Sequence, residues 1–141
     1  MELQLVRRVV IPMINWAALA VANDVDEWEA QFYGRILEVE TSLGNLGTAA
    51  ATTIDVKKNG VSIFPIAPSI AFNAATKRRR DSASALLPVG TVGAAGNLTP
   101  TAGEPSGVDF APGDLFRLDV TAIGTGSSNL KALLSCIVKD V

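Results

Sequence analysis

Alternation of apolar and polar residues on either side of an Asn-Gly pair constrains this chain more than any other feature. Ile54 and Val56 alternate with polar residues before Asn59-Gly60, and Val61 resumes the pattern after the pair. A period of two places alternate side chains on opposite faces, as in a half-buried strand. Asn and Gly both tolerate the positive φ angles of a type I′ turn, whose twist matches that of paired strands. The sequence therefore predicts a β-hairpin centred on residues 59 and 60.

Two further segments repeat the alternation. Residues 35–43 place Leu37 and Val39 on one face, and residues 116–122 alternate after a Pro112-Gly113-Asp114 turn. Each segment has the length of an ordinary strand. Both are therefore predicted to be strands with one buried face.

Residues 130–138 differ, because apolar side chains occupy both faces of the predicted strand. Leu134 lies on one face, and Leu133 and Ile137 lie on the other. A strand that is apolar on both faces is typically covered on both sides. Within a small sandwich, the second cover can be another subunit, so Leu133 and Ile137 are assigned to a predicted subunit interface.

The spacing of these strands indicates the fold class. Seven or eight short strands with glycine-rich connections are expected, and no convincing amphipathic helix is present. Residues 88–113 hold many of the glycines and prolines and are predicted to form a long surface loop. The chain is therefore predicted to be all-β, a jelly-roll-like antiparallel β-sandwich with an extended N-terminal arm.

The first residues leave two alternatives open. Six large aliphatic side chains occur before Pro12, with Arg7 and Arg8 among them. The segment is predicted to be either the first strand of the domain or an arm that adds to the sheet edge of a neighbour. We divide the chain into residues 1–12, the arm or first strand, and residues 13–141, the sandwich, with Pro12 as the expected exit from the folded body. The predicted interface residues of this segment are Leu3, Leu5, Val6, Arg7, Arg8, Val9, Val10 and Ile11.

Composition excludes several classes of function. The chain of 141 residues has no histidine and a single cysteine, Cys136, which excludes histidine-based catalysis, an intrachain disulfide and a cysteine-cluster zinc site. A net charge of −2 gives no basis for nucleic-acid binding. The N-terminal apolar stretch is too short and too interrupted for a membrane span. We expect a protein that is not an enzyme and that has no cofactor, no nucleic-acid partner and no membrane partner.

Charged clusters carry the remaining candidate chemistry. An acidic group surrounds Trp28, but it lacks the spacing of a calcium loop, so a charged turn is the preferred interpretation. Glu38 and Glu40 share one strand face and are interpreted as a solvated or interfacial pair. The acidic residues around Trp28 are Asp24, Asp26, Glu27 and Glu29.

Residues 77–80 form the only strong charge run. A solvated loop is the simplest interpretation, and contact with an acidic partner protein is the main alternative. The run consists of Lys77, Arg78, Arg79 and Arg80.

Several segments together resemble a β-sandwich module of tailed-bacteriophage virion proteins. They are the Asp24 to Trp28 string, the Phe32 to Leu37 string, the Gly47-Thr48 pair, the hairpin segment Thr53 to Phe64, the turn Ala111 to Asp114 and the string Leu118 to Val120. The module occurs in small capsid decoration (cement) proteins and in head or tail fibre domains, and the resemblance covers roughly residues 23 to 139. The basic run and the long glycine-rich loop match no part of it.

The resemblance implies a jelly roll, often a homotrimer, that sits on the outer surface of an assembled capsid and stabilises it. The implied partners are other copies of this chain and the major capsid protein, with the predicted interface residues in the contact. The alternative is a receptor- or glycan-binding domain of a head or tail fibre. Sugar sites usually expose aromatic residues, and none lies between Ala74 and Asp109.

Overall fold

The computed structural model describes residues 7–16, 20–64, 67–75, 77–82 and 107–139. These residues form strands and connections, and no helix occurs among them. The strands are β1 (Arg8–Trp16), β2 (Ala22–Glu29), β3 (Gly34–Ser42), β4 (Thr52–Lys58), β5 (Val61–Ser62), β6 (Ser69–Ile70), β7 (Arg78–Ser82), β8 (Val108–Phe110), β9 (Leu115–Ala122) and β10 (Leu130–Val138).

The strands form two antiparallel sheets that pack face to face. Sheet A has the order β1-β10-β3-β7, and β8 also pairs with β3. Sheet B has the order β2-β9-β4-β5, and β6 also pairs with β4. The predicted all-β antiparallel sandwich is confirmed. Most of the predicted loop at residues 88–113 lies outside the described residues, although β8 falls near its end.

The pairing is nested along the chain. β1 pairs with β10, β2 with β9, β3 with β7 and β8, and β4 with β5 and β6. β7 and β8 occupy successive stretches of one edge of β3, and β5 and β6 do the same along β4. Ten strands therefore act as eight strand positions, which explains why the alternation alone suggested seven or eight.

The core lies between the sheets and follows the predicted parity on β4 and β9. On β3 the prediction that Leu37 and Val39 share the core face is wrong, because a register shift against β10 buries Ile36 with Val39 and leaves Leu37 half-buried. Val39 and Leu134 from sheet A, and Val56 and Leu118 from sheet B, are fully buried. Burial of each such side chain is worth about 1.5–3 kcal/mol relative to exposure. The alternation of these strands is therefore what selects their inward faces.

An aromatic cluster fills one end of the core. Trp28 stacks on Phe116 at a centroid distance of 5.5 Å, and Phe110 meets both rings edge to face. Gly34 lies against Phe110, since a Cβ at residue 34 would come within 2.4 Å of that ring. A side chain at residue 34 would therefore displace the phenylalanine.

A buried arginine joins β3 to β8. Arg35 is 1% exposed and donates two hydrogen bonds to the Asp109 carboxylate, one of them from Nη2 at 3.0 Å. Lys58 of the other sheet donates from Nζ to the Asp109 carbonyl oxygen at 2.9 Å. A buried guanidinium with a bidentate partner is costly to leave unpaired. The pair therefore disfavours any other register between β3 and β8.

The Asn59-Gly60 turn has the predicted type I′ backbone. Asn59 has a φ of 49° and Gly60 a φ of 86°, and Lys58 pairs directly with Val61. The Asn59 side chain also donates to the Asp114 carboxylate at 2.9 Å and accepts from the Leu115 N–H at 2.9 Å. The hairpin is thus fastened to the turn that begins β9.

Substitutions at the two turn positions should have different costs. Gly60→Val should destabilise the fold by about 1–2 kcal/mol, because a β-branched residue resists positive φ and no other atom lies near that position. Asn59→Val should cost about 1 kcal/mol more, because it also removes two side-chain hydrogen bonds. Gly60→Asn is the control and should be nearly neutral. Chemical denaturation measures all three, and equal stability of Asn59→Val and Gly60→Val would contradict the link to Asp114.

Candidate interaction surface

The outer face of sheet A carries the residues predicted to form an interface on β10. Arg8 lies opposite Ile137, Val10 opposite Ser135, and Pro12 opposite Leu133. Directly opposite residues share a face of the sheet. Because the alternate residues of both strands face the core, these six side chains face outward.

Four of these outward residues form an aliphatic stripe, defined as Val10, Pro12, Leu133 and Ile137. Val10 is 54% exposed, Pro12 is exposed, and the other two are half-buried. Leu133 and Ile137 are thus covered by their own sheet only in part. Their outer cover is not supplied by the described part of this chain.

The face changes character across the neighbouring strands. Glu40 lies opposite Leu133, and Glu38 lies opposite Ser135. Arg78 of β7 places Nε 3.0 Å from Glu40 Oε1. The arginine side chain is 64% exposed, so this ion pair adds little stability. Where β7 borders β3, the outer face therefore passes from aliphatic to acidic to basic. Opposite Ile137, β3 instead carries Arg35.

Three residues of the basic run, Arg78 to Arg80, begin the edge strand β7, so the solvated loop, the simplest interpretation, does not describe them. Lys77 donates from Nζ to the Gly44 carbonyl oxygen at 3.0 Å. Arg79 donates from Nη1 to the Ser69 carbonyl oxygen at 3.0 Å, which joins β7 to β6 of the other sheet. Arg80 lies opposite Glu40 in register. The backbone prefers a strand here because β3 offers an open ladder, and contact with an acidic partner stays a prediction.

The N-terminal interface residues divide according to strand parity within β1, and Arg7 precedes the strand. Val9 and Ile11 are partly buried on the inner face, whereas Arg7, Arg8 and Val10 are exposed. Leu3, Leu5 and Val6 lie outside the described residues.

Pro12 lies inside β1 and does not mark an exit from the folded body. The Val138 N–H donates to the Arg7 carbonyl oxygen at 2.9 Å, so residues at odd positions bond to β10 up to the irregularity after Met13. Arg8, Val10 and Pro12 direct their backbone groups away from β10. Proline is tolerated there because it lacks only an N–H that would face the open edge. The arm alternative therefore does not describe residues 8–12, and the boundary at residue 12 falls within a strand of the sandwich.

The outer face of sheet B is polar and internally paired. Lys57 Nζ lies 2.8 Å from the buried carboxylate of Asp119, which also accepts from the Asp24 N–H at 2.7 Å. The hydrogen bond and the charge of Asp119 raise the pKa of Lys57. Burial, with the charge of Asp119 adding to it, raises the pKa of Asp55 above its ordinary value of 3.8.

The acidic residues around Trp28 are spread along β2. Arg117 Nε lies 3.4 Å from Glu27 Oε2 and 3.7 Å from Asp24 Oδ1. Within the ranges described above, no group of three or more acidic, histidine or cysteine side chains is placed to hold a metal ion. Helices long and apolar enough to cross a membrane do not occur in the same ranges.

Comparison with protein-family models, with curated proteins and with solved structures finds no match to this chain.

Sequence reasoning missed the polar contacts that join distant strands. The Arg35–Asp109 pair and the link between Asn59 and Asp114 each connect residues far apart in sequence. An aspartate after Pro112-Gly113 and a lone arginine in an apolar strand were the only local signals. Neither signal indicates which distant residue the side chain contacts.

Two carboxylates should respond to pH in opposite directions. The raised pKa of Asp55 means that its ionisation disfavours the fold, so Asp55→Asn should be more stable than the wild type at neutral pH. The difference should vanish below the unfolded pKa of about 3.9.

Asp114→Asn is the matched control with the opposite sign. Burial acts to raise the pKa of Asp114, but hydrogen bonds from Ala111 and Asn59 and the Lys58 ammonium outweigh it, so the pKa is lowered. This carboxylate stabilises the fold above its unfolded pKa, and the contribution is lost as pH falls through the folded value. Thermal melting from pH 3 to pH 8 measures the stability of both variants. A higher melting temperature for Asp114→Asn than for the wild type at neutral pH would contradict the stabilising role of this carboxylate.

Proposed function

We propose that this protein is a virion structural protein, a capsid decoration (cement) protein that binds the outside of an assembled phage head. The observation that carries the proposal is the aliphatic stripe on the outer face of sheet A. Val10 is more than half exposed, and Leu133 lies half-buried beside Pro12. An exposed apolar patch rimmed by charges is typical of a protein-binding surface.

The strand order supports a jelly roll as the finer description of the sandwich. The nested pairs form one long folded hairpin that is rolled so that successive positions alternate between the two sheets. A jelly roll is a double-sheet arrangement of eight strand positions with Greek-key connections. The observed strand order therefore supports the jelly roll that the resemblance implies.

The proposed mechanism is binding linkage. The stripe buries aliphatic surface against two neighbouring capsid subunits, and the flanking carboxylates and arginines orient the contact. A ligand that binds only the assembled shell stabilises that shell according to its concentration and affinity. The partner is the major capsid protein, and the site of action is the outer surface of the virion.

The fibre alternative draws less support from the geometry. Among the aromatic side chains that the structure describes, Tyr33 and Phe72 are exposed, at 45% and 43%. Tyr33 follows β2 at the end of the sandwich where the Asn59 turn lies. Phe72 follows Ile70 of β6, which pairs with Thr52 at the start of β4, so Phe72 lies at the opposite end of the sandwich. The two rings therefore do not form one sugar-stacking platform.

Binding to undecorated shells tests the surface. Leu133→Lys should weaken binding at least tenfold, which corresponds to about 1.4 kcal/mol, because a charge replaces a contacting aliphatic group. Glu40 lies opposite this position in register, which leaves the lysine beside a carboxylate.

Thr121→Lys is the control. Thr121 is exposed on the outer face of sheet B, so the added charge should not change binding. Co-sedimentation with shells measures both variants, together with melting curves that verify folding. If folded Leu133→Lys binds shells as well as the wild type does, the aliphatic stripe is not the surface that contacts the shell. Counting copies in purified virions separates the two functions, since a few copies confined to a tail would support the fibre alternative.

A further inference from the structure

The outer edge of β1 is open within the described part of sheet A. No described strand pairs with its outer side, and the backbone groups of Arg8 and Val10 point toward that side. Val9 and Ile11 face inward, yet both are only partly buried, whereas Met13 is 1% exposed. One more strand at this edge would therefore cover aliphatic groups on both faces of the sheet.

The usable length of the edge is short and well defined. The register of β1 against β10 is regular from Arg8 to Met13 and becomes irregular between Met13 and Asn15. Pro12 offers a carbonyl but no N–H. Within this regular stretch, the backbone groups of Arg8, Val10 and Pro12 face the open edge, and Val10 is the middle one of the three.

We propose that the partner at this edge is a second copy of the chain, whose β1 pairs antiparallel with this one about a two-fold axis at Val10. In this register the two Val10 residues exchange both backbone hydrogen bonds. The Arg8 N–H of each copy donates to the Pro12 carbonyl of the other. Proline has no N–H to donate in return, so the Arg8 carbonyl is the one edge group in each copy that bonds to solvent.

Side-chain chemistry favours the same register. Val9 falls opposite Ile11 of the other copy on the inner face, and the two Val10 side chains meet on the outer face. β-branched residues opposite one another stabilise antiparallel pairs. Arg8 falls opposite a proline, so no like charges face each other. A two-fold contact uses one self-complementary patch on both copies.

The pairing also joins the two outer faces. The aliphatic stripes of both copies become one continuous surface across the axis, with Leu133 and Ile137 on each side. The inference does not depend on the proposed function. The resemblance implies a homotrimer, whereas this edge forms a two-fold contact, and the mass in solution distinguishes them.

Cysteine crosslinking tests the register. Directly opposite residues have Cα atoms about 5.5 Å apart, within disulfide range, so Val10→Cys should oxidise to a covalent dimer. Arg8→Cys is the control on the same edge. The two residues 8 would lie four positions apart along the paired strands, roughly 13 Å, and should not crosslink. Cys136 does not compete, because it is buried and burial raises its pKa to about 12.

Light scattering across a dilution series gives the independent measurement. The wild type should have twice the monomer mass, and Val10→Pro should be monomeric, because it removes an N–H that points away from β10. A wild type that is monomeric or trimeric would overturn the proposal, and so would equal crosslinking at residues 8 and 10. Loss of shell binding in Leu133→Lys with an unchanged dimer mass would concern the proposed function alone.

Discussion

The position of the C-terminal strand β10 between β1 and β3 is the constraint on which the rest of sheet A depends. Its inner face supplies Leu130, Leu134 and Cys136 to the core, and all are fully buried. The two neighbouring strands come from the first part of the chain, so sheet A is completed only when the last strand arrives. Long-range pairing of this kind is slow to form. The same placement puts Leu133 and Ile137 on the outer face.

Much of this architecture was predictable from local pattern. Alternation identified the strands around Val39 and Val56, and the Asn59-Gly60 pair identified the hairpin, because each signal depends on neighbouring residues only. The two-sided apolar character of residues 130–138 also predicted an outer contact for Leu133. The register of β1 was not predictable, since an apolar segment can pair within its own domain or with a neighbour. Proline in a strand is permitted when its nitrogen faces an open edge, and only the observed pairing reveals that.

The contacts that sequence could not indicate are polar and long-range. Arg35 needs Asp109 because the guanidinium is buried, and Asn59 binds Asp114 because two turns lie at the same end of the sandwich. The basic run illustrates the converse. Four consecutive cations suggested a loop, yet the open ladder of β3 outweighs their mutual repulsion, and Glu40 lies beside Arg78. Charge patterns alone do not determine the backbone conformation that carries them.

Hydroxyl-radical footprinting of the free and shell-bound protein is the most direct measurement of the central claim that the outer face of sheet A is the contact. The account predicts strong protection of Val10, Leu133 and Ile137 on the shell. Thr121 and Arg117, on the outer face of sheet B, should label equally in both states and serve as internal references. Protection of sheet B residues with unchanged labelling of Leu133 and Ile137 would contradict the account.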